Sequence, residues 1–395
     1  MHAHRVAFAF ALLATLSLTA ACASDSPAAG SKPTAGESEA LGVSTTPTAE
    51  QPLPSRSFAA SLPEGYRIET VLDGLELPTS IAALPDGRLL ITEQTSGRVR
   101  VVEDGRLLDE PWFELPVFVQ TESFAVQELG LVTIAADPEF EENGYVYIYY
   151  TEQREGDDGR TVFARLREVD AKGGELTPLV TIDLAPVKSH IAGGIAFQGD
   201  AILLGVGDHE DHSLAPQLAS PAGKVLRIDR DGEPLADNPF AGREGADPRV
   251  YAYGLRNPFG VAVDAATGKA YITENRDVEG DAVYELVAGA DYGWPEHRVA
   301  FRTPLVVYDR PMGLAGITAY EDDALPEFTG DLFFCSFHGG GALHWLQTGE
   351  LDPLSEVNRE QVIAPGCGSG VAAGADGFIY YLDFDAGRLL RISRS

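Results

Sequence analysis

From about residue 58 onward the apolar residues come in short runs of Val, Ile, Leu, Tyr and Phe, cut by Asp-Gly and other glycine turns, with almost no sustained 3.6-residue periodicity. That alternation predicts strands and an all-β fold. The runs also recur in a fixed syntax. SIAALPDGRLLITEQTSGRVRVV, from Ser80, reads as a strand of small apolar residues, an Asp-Gly hairpin turn, a second strand ending near Thr or Glu, then a glycine and a third strand. The same order returns in LVTIAADPEFEENGYVYIYYTE from Leu131, and in GIAFQGDAILLGVGD with GKVLRIDRDG from Gly194. It returns again in GVAVDAATGKAYITENRDVEGDAVYELV from Gly260, in GITAYEDDALPEFTGDLFFCSFHGGGALHWL from Gly316 and in GVAAGADGFIYYLDFDAGRLLRISR from Gly370.

Six such units follow one another at intervals of roughly 50 to 65 residues. A small antiparallel sheet cannot bury both faces alone, so units of this size stack around an axis. The expected architecture is a six-bladed β-propeller of four-stranded antiparallel blades; a two-domain sandwich is the runner-up. The last unit stops at its third strand, RLLRISR, while YRIETVLDG at 66–74 precedes the first complete unit. Pairing of these N- and C-terminal strands is expected to close the ring.

The N-terminus follows another pattern. A weakly basic start, the apolar stretch VAFAFALLATLSLTAA and small residues leading to Cys22 mark residues 1–22 as a signal peptide. LTAAC resembles the bacterial lipoprotein processing site, which implies that Cys22 carries a lipid; ordinary secretion and a retained membrane helix are the alternatives. Residues 23–57 are rich in Ser, Ala, Gly, Pro, Thr and Glu and read as a flexible tether. The propeller domain is then 58–395, exported to the periplasm or cell surface and touching a membrane only through its lipid anchor.

Composition narrows the partners. The chain of 395 residues has a formal net charge of −31, which excludes nucleic acid, since phosphate neutralisation needs clustered Lys and Arg. Small neutral or cationic molecules stay open. Cys335 and Cys367 lie in an exported domain where a disulfide is chemically permitted, and spacing alone leaves pairing and two separate thiols equally open.

Loops at one mouth of a propeller gather residues from all blades, so polar residues just before each inner strand are the candidates for chemistry. His190, in SHIAGGIAF, is placed to act as a general base near neutral pH or to brace a loop. Arg256 and Asn257, in YGLRNPFG, offer a permanent fork-shaped donor for anionic or carbonyl oxygens, or a brace for loop carbonyls. GVGDHEDH concentrates Asp208, His209, Glu210, Asp211 and His212, all possible metal ligands, although five adjacent residues point in different directions.

Taken together, PTSIAALPDGRLLITEQTSGRVRVV, LGLVTIAADPEFEENGYVYIYYTE, HIAGGIAF, GKVLRIDRDGEPLADNPF, YGLRNPFGVAVDAATGKAYITEN and ADYGWPE resemble the soluble PQQ-dependent sugar dehydrogenases, the glucose/sorbosone dehydrogenase family. The resemblance covers nearly all of residues 64–392. It implies a quinoprotein-type oxidoreductase that oxidises an aldose or related sugar and passes electrons to an acceptor. Pyrroloquinoline quinone (PQQ) would sit over the axial channel, with calcium polarising it. His190 would take the hydroxyl proton, Arg256 would stabilise charge on the quinone oxygen, and Asn257 would hold the cofactor.

The chain also departs from the pattern. Ile195 stands where the family usually has arginine, Glu128 where it often has a cofactor-contacting glutamine, and His338 where it has a cofactor-binding lysine. Arg276 and Asp277 replace the Gly-Pro whose backbone carbonyls hold calcium, and GCGSG, with Cys367 and Ser369, stands where characterised glucose oxidisers bring a pair of arginines. These departures leave a non-catalytic propeller lipoprotein, binding a carbohydrate or protein partner at its channel mouth, as the alternative. A calcium-dependent lactonase, with Asn257 and Glu128 contributing ligands, is a third reading.

Overall fold

The computed structural model describes residues 60–120, 128–154, 158–183, 189–277, 280–296, 303–349 and 360–395. The expected signal peptide, Cys22 and the tether lie outside the described residues. Six antiparallel sheets follow one another along the chain, and five of them have four strands. Their innermost strands are Pro78–Ala83, Leu131–Ala136, Ala192–Gln198, Pro258–Val263, Leu314–Tyr320 and Val371–Ala373, which are the starts of the six units read from the sequence. The first sheet carries an additional short strand, Phe113–Glu114, that pairs with Arg98–Glu103. Among the described residues, helix is confined to the single turn Phe140–Asn143 and the 3-10 turn His212–Leu214.

The ring closes as expected. Tyr66–Asp73 is the outer strand of the sixth blade, antiparallel to Arg388–Arg394, with Tyr66 opposite Arg394, Asp73 opposite Arg388 and a register shift between Thr70 and Leu72. Arg391 also donates to Glu69 at 2.8 Å across this seam.

Packing explains why the blades stay together. Each apolar cluster bridges one pair of neighbours. Leu90 and Val101 meet Ile148 and Val162 between the first and second blades, and Tyr147 and Phe163 meet Ile202 and Leu226 between the second and third. Leu203 meets Ile272 and Tyr284, Tyr271 meets Phe334, and Phe333 meets Tyr381 at the next three junctions. Ile81 and Ile91 meet Leu382 and Leu389 where the sixth blade returns to the first. Burying one such side chain stabilises by about 1.5–3 kcal/mol, so the faces left bare on an isolated sheet become the main source of stability in the ring.

Toward the axis the inner strands converge on a channel of about 380 Å³. Close approach there requires glycine. A Cβ on Gly260 would lie 2.5 Å from the carbonyl oxygen of Ala315, and one on Gly370 would lie 2.9 Å from that of Thr79. Cys335 and Cys367 form a disulfide, which ties the second strand of the fifth blade to the segment that enters the sixth.

Candidate active site

At one mouth of the channel lies a pocket of about 290 Å³, near the lower end of the range for small-molecule sites. Thr79, Phe259 and Ser369 line both pocket and channel, so the two are continuous. The pocket wall brings together the residues expected to serve the base and the cofactor: Glu128, His190, Arg256, Asn257, Arg276, Asp277 and His338. Loops of different blades deliver them.

His190 precedes the inner strand of the third blade and has φ +51°, and Ala192, His209 and Glu210 beside it also have positive φ. Left-handed backbone at a non-glycine residue costs about 1–3 kcal/mol and persists only where the surroundings impose it. The surroundings here are dense. His209 N–H donates to the carbonyl of His190 at 3.1 Å, and Gly207 runs so close that a Cβ on it would lie 1.8 Å from the same oxygen. His190 Nδ1 is consequently held 2.9 Å from Oδ1 of Asp208, which is fully buried.

The Asp208 carboxylate is saturated with donors. Oδ1 receives His190 and the backbone N–H of Glu210, while Oδ2 receives His212 Nδ1 at 2.6 Å and Trp294 Nε1 at 2.8 Å. Burial, the largest single influence, pushes its pKa up; the hydrogen bonds from His190 and His212, with the attraction of His190 and the Trp294 donor, outweigh it and leave the group below the usual carboxylate range. Asp208 is therefore ionised. A charged carboxylate facing Nδ1 makes that nitrogen the protonated one and leaves Nε2 as the acceptor.

Of the five residues singled out as possible metal ligands at 208–212, only Asp208 and His212 converge with His190. Glu210 turns to the hydroxyl of Ser189, Asp211 caps the following 3-10 turn, and His209 is buried, its pKa pushed down to about 4 by desolvation. With all lone pairs of Asp208 engaged by N–H groups, the arrangement suits protons better than a metal ion.

Arg256 is stitched between blades. Its carbonyl accepts from Asp208 N–H at 2.7 Å, its own N–H donates to Glu274 Oε1 at 2.6 Å, and its Nη1 donates to the carbonyl of Asn275 at 3.2 Å. The guanidinium carbon lies 5.7 Å from the ring centre of Trp294, while Nε is buried without a partner, which leaves donor capacity at the pocket wall. Beneath it, desolvation raises Glu274 to about 8, against the pull of Arg256 and Arg276, so near neutrality this carboxyl carries a proton and does not cancel the arginine's charge. Asn257, almost fully buried, donates Nδ2 to Glu128 Oε2 at 3.2 Å.

Other expected contacts have more limited geometry. Arg276 gives its N–H to Asp281 and Nη1 to the hydroxyl of Tyr284, each at 2.9 Å. The carbonyl of Asp277 accepts Gly280 N–H at 3.1 Å. Arg276 adds a fixed positive charge to the same wall, and among the described residues no group of three carboxylate or imidazole ligands converges around Asp277, so the calcium donors do not fit. Ser369 donates to the carbonyl of Pro78, Ile195 lines the channel and not the pocket, and His338 is exposed at the rim.

Arg256, with its unspent donor, and Arg276 do fit an anionic, oxygen-rich group such as PQQ. Glu128, bonded to Asn257 in the same pocket, opposes it. Sequence reasoning missed Asp208 as the partner of His190, and it missed Glu274 and Trp294 as supports of Arg256.

Comparison with known proteins places these observations. Residues 75–391 match the family described as Glucose / Sorbosone dehydrogenase. An uncharacterised protein of Synechocystis sp. (strain ATCC 27184 / PCC 6803 / Kazusa) is 32% identical over 383 residues, spanning 87% of this chain and 90% of that protein. The aldose sugar dehydrogenase of Escherichia coli (strain K12) is 24% identical over 356 residues, covering 84% and 94% of the two chains. Among solved structures, the PQQ-bound form of aldose sugar dehydrogenase from Streptomyces coelicolor is 25% identical, with a TM-score of 0.65 over 85% of this chain and 100% of that one.

Proposed function

The chain belongs to the glucose/sorbosone dehydrogenase family, and from that premise we propose that it is an exported quinoprotein-type oxidoreductase that oxidises an aldose or related sugar alcohol group. The observation that carries this reading is the pairing of His190 with a buried, ionised Asp208 in the same pocket as Arg256.

In this reading His190 Nε2 removes the proton of the sugar hydroxyl. The imidazolium that results is balanced by Asp208, whose position is fixed before substrate arrives, so little reorganisation accompanies the transfer. Loss of that proton drives electrons from oxygen toward the carbon, and the C–H bond leaves with its pair as hydride, giving a carbonyl product. PQQ, when bound, supplies the two-electron acceptor for that hydride. Arg256 and Arg276 would hold its anionic groups, and the neutral Glu274 keeps the charge of Arg256 available.

The N-terminal segment supports export, with lipid attached at Cys22 and the following polar stretch as a tether. The test of activity is dye reduction by purified protein, with and without added PQQ, over a panel of aldoses. PQQ-dependent turnover is expected, and its absence for every sugar overturns the reading.

A further inference from the structure

Asp208 serves two imidazoles, and the quinoprotein reading uses only one of them. His190 reaches Oδ1 from inside the pocket, where its side chain is 12% exposed, while His212 reaches Oδ2 from outside, where its side chain is 45% exposed. The two rings lie 6.3 Å apart and are inclined by only 23°. His212 is seated by construction. Its ring meets Trp294 edge-on at 5.0 Å, and Trp294 donates to the same Oδ2. The turn that carries it is fastened by the fully buried Lys224, whose Nζ donates to the carbonyls of Leu214, Ala215 and Ala222 at 3.0, 2.8 and 2.6 Å.

We propose that His212 is a positioning residue of the base: the two imidazoles hold protons as one coupled unit on Asp208, in which the exposed ring takes the charge first and His190 stays neutral and able to accept. The physical reason is a difference in solvation. A charge on the exposed ring keeps much of its hydration, whereas a charge on the inner ring does not. Once His212 is cationic it shares the negative charge of Asp208 and repels a second cation, so protonation of His190 is deferred to more acidic solution.

Other charges face the unit as well. Arg256, beside Trp294, opposes a proton on His190. Glu210, bonded to Ser189, lies on the His190 side and Asp211, bonded to Ser213, on the His212 side, while both His209 and Glu274 are kept neutral around neutrality by burial.

This inference rests on reading His190 as the base, and the test separates the two. Histidine ring nitrogens labelled with ¹⁵N are followed by NMR as a function of pH in the protein without cofactor, for wild type, His212→Asn and His212→Gln. In wild type the two rings are expected to titrate in coupled steps. In either variant His190 should titrate in one step, moved to higher pH by at least about half a unit, because Asp208 is now its own. A His190 curve that superimposes on wild type in the folded variants overturns the proposal. In the PQQ-loaded enzyme the acid limb of the kcat/KM profile should move the same way. Coupled titration without turnover would leave this inference standing and defeat the proposed activity.

Discussion

Asn257 and Glu128, 129 positions apart in the chain, meet at 3.2 Å through Nδ2 and Oε2 in the wall of the pocket. The contact fixes the asparagine of the Arg256–Asn257 pair, and it also places a carboxylate where an anionic cofactor would dock. Glu128→Gln keeps an acceptor for Asn257 and removes the charge. The variant should bind PQQ roughly 3- to 30-fold more tightly, as expected for relief of one partly screened repulsion. Equal or weaker binding by isothermal titration would show that Glu128 does not face the ligand.

His190→Ala should lower kcat by about 10²- to 10⁴-fold, the usual worth of a positioned base. Asp208→Asn should also lose rate, because a neutral amide no longer fixes the Nδ1–H tautomer or balances the imidazolium. Circular dichroism should show both variants folded. Turnover at the wild-type level in His190→Ala would assign the histidine to loop support.

Glu274 makes stability depend on pH in a definite direction. Its folded pKa, about 8, lies above that of the unfolded chain, so between roughly pH 4.5 and 8 the unfolded state has released a proton that the native state still holds. Stability from this group is complete below that window and is lost as pH rises through it, by a total on the order of a few kcal/mol. Glu274→Gln has no such proton. Urea unfolding at pH 5 and pH 8.5 should show a smaller loss in the variant than in wild type, and an identical loss in both would contradict the assignment.

The disulfide between Cys335 and Cys367 closes a segment with a sequence separation of 32 and lies next to Gly368 and Ser369 in the pocket wall. Replacing both cysteines with alanine should cost about 2–4 kcal/mol in chemical unfolding. An unchanged unfolding midpoint would show that the surrounding core alone holds this junction.

Much of this fold was legible because the cues are local. Asp-Gly and other glycine turns between short apolar runs mark the three inner strands of the units, and the isolated strand at 66–74 found its partner at the far end of the chain. The outer strands were less visible: Val306–Val307 is two residues long, and Val250–Tyr253 ends inside the YGLRNPFG loop. In the site, His190, Arg256 and Asn257 stood out because charge or amide interrupts apolar sequence. Asp208 did not stand out among its neighbours. Its inward direction depends on left-handed backbone at His209 and Glu210, which no glycine announces. Glu274 looked like the end of an ordinary strand, and its meaning came from a burial that only the folded ring creates.

The most direct measurement of the central claim is anaerobic stopped-flow mixing of PQQ-loaded protein with an aldose deuterated at the oxidised carbon. Reduction of the quinone absorbance in a single turnover, slowed severalfold by deuterium and abolished in His190→Ala, is the expected result. A loaded protein whose spectrum no aldose changes would contradict the account.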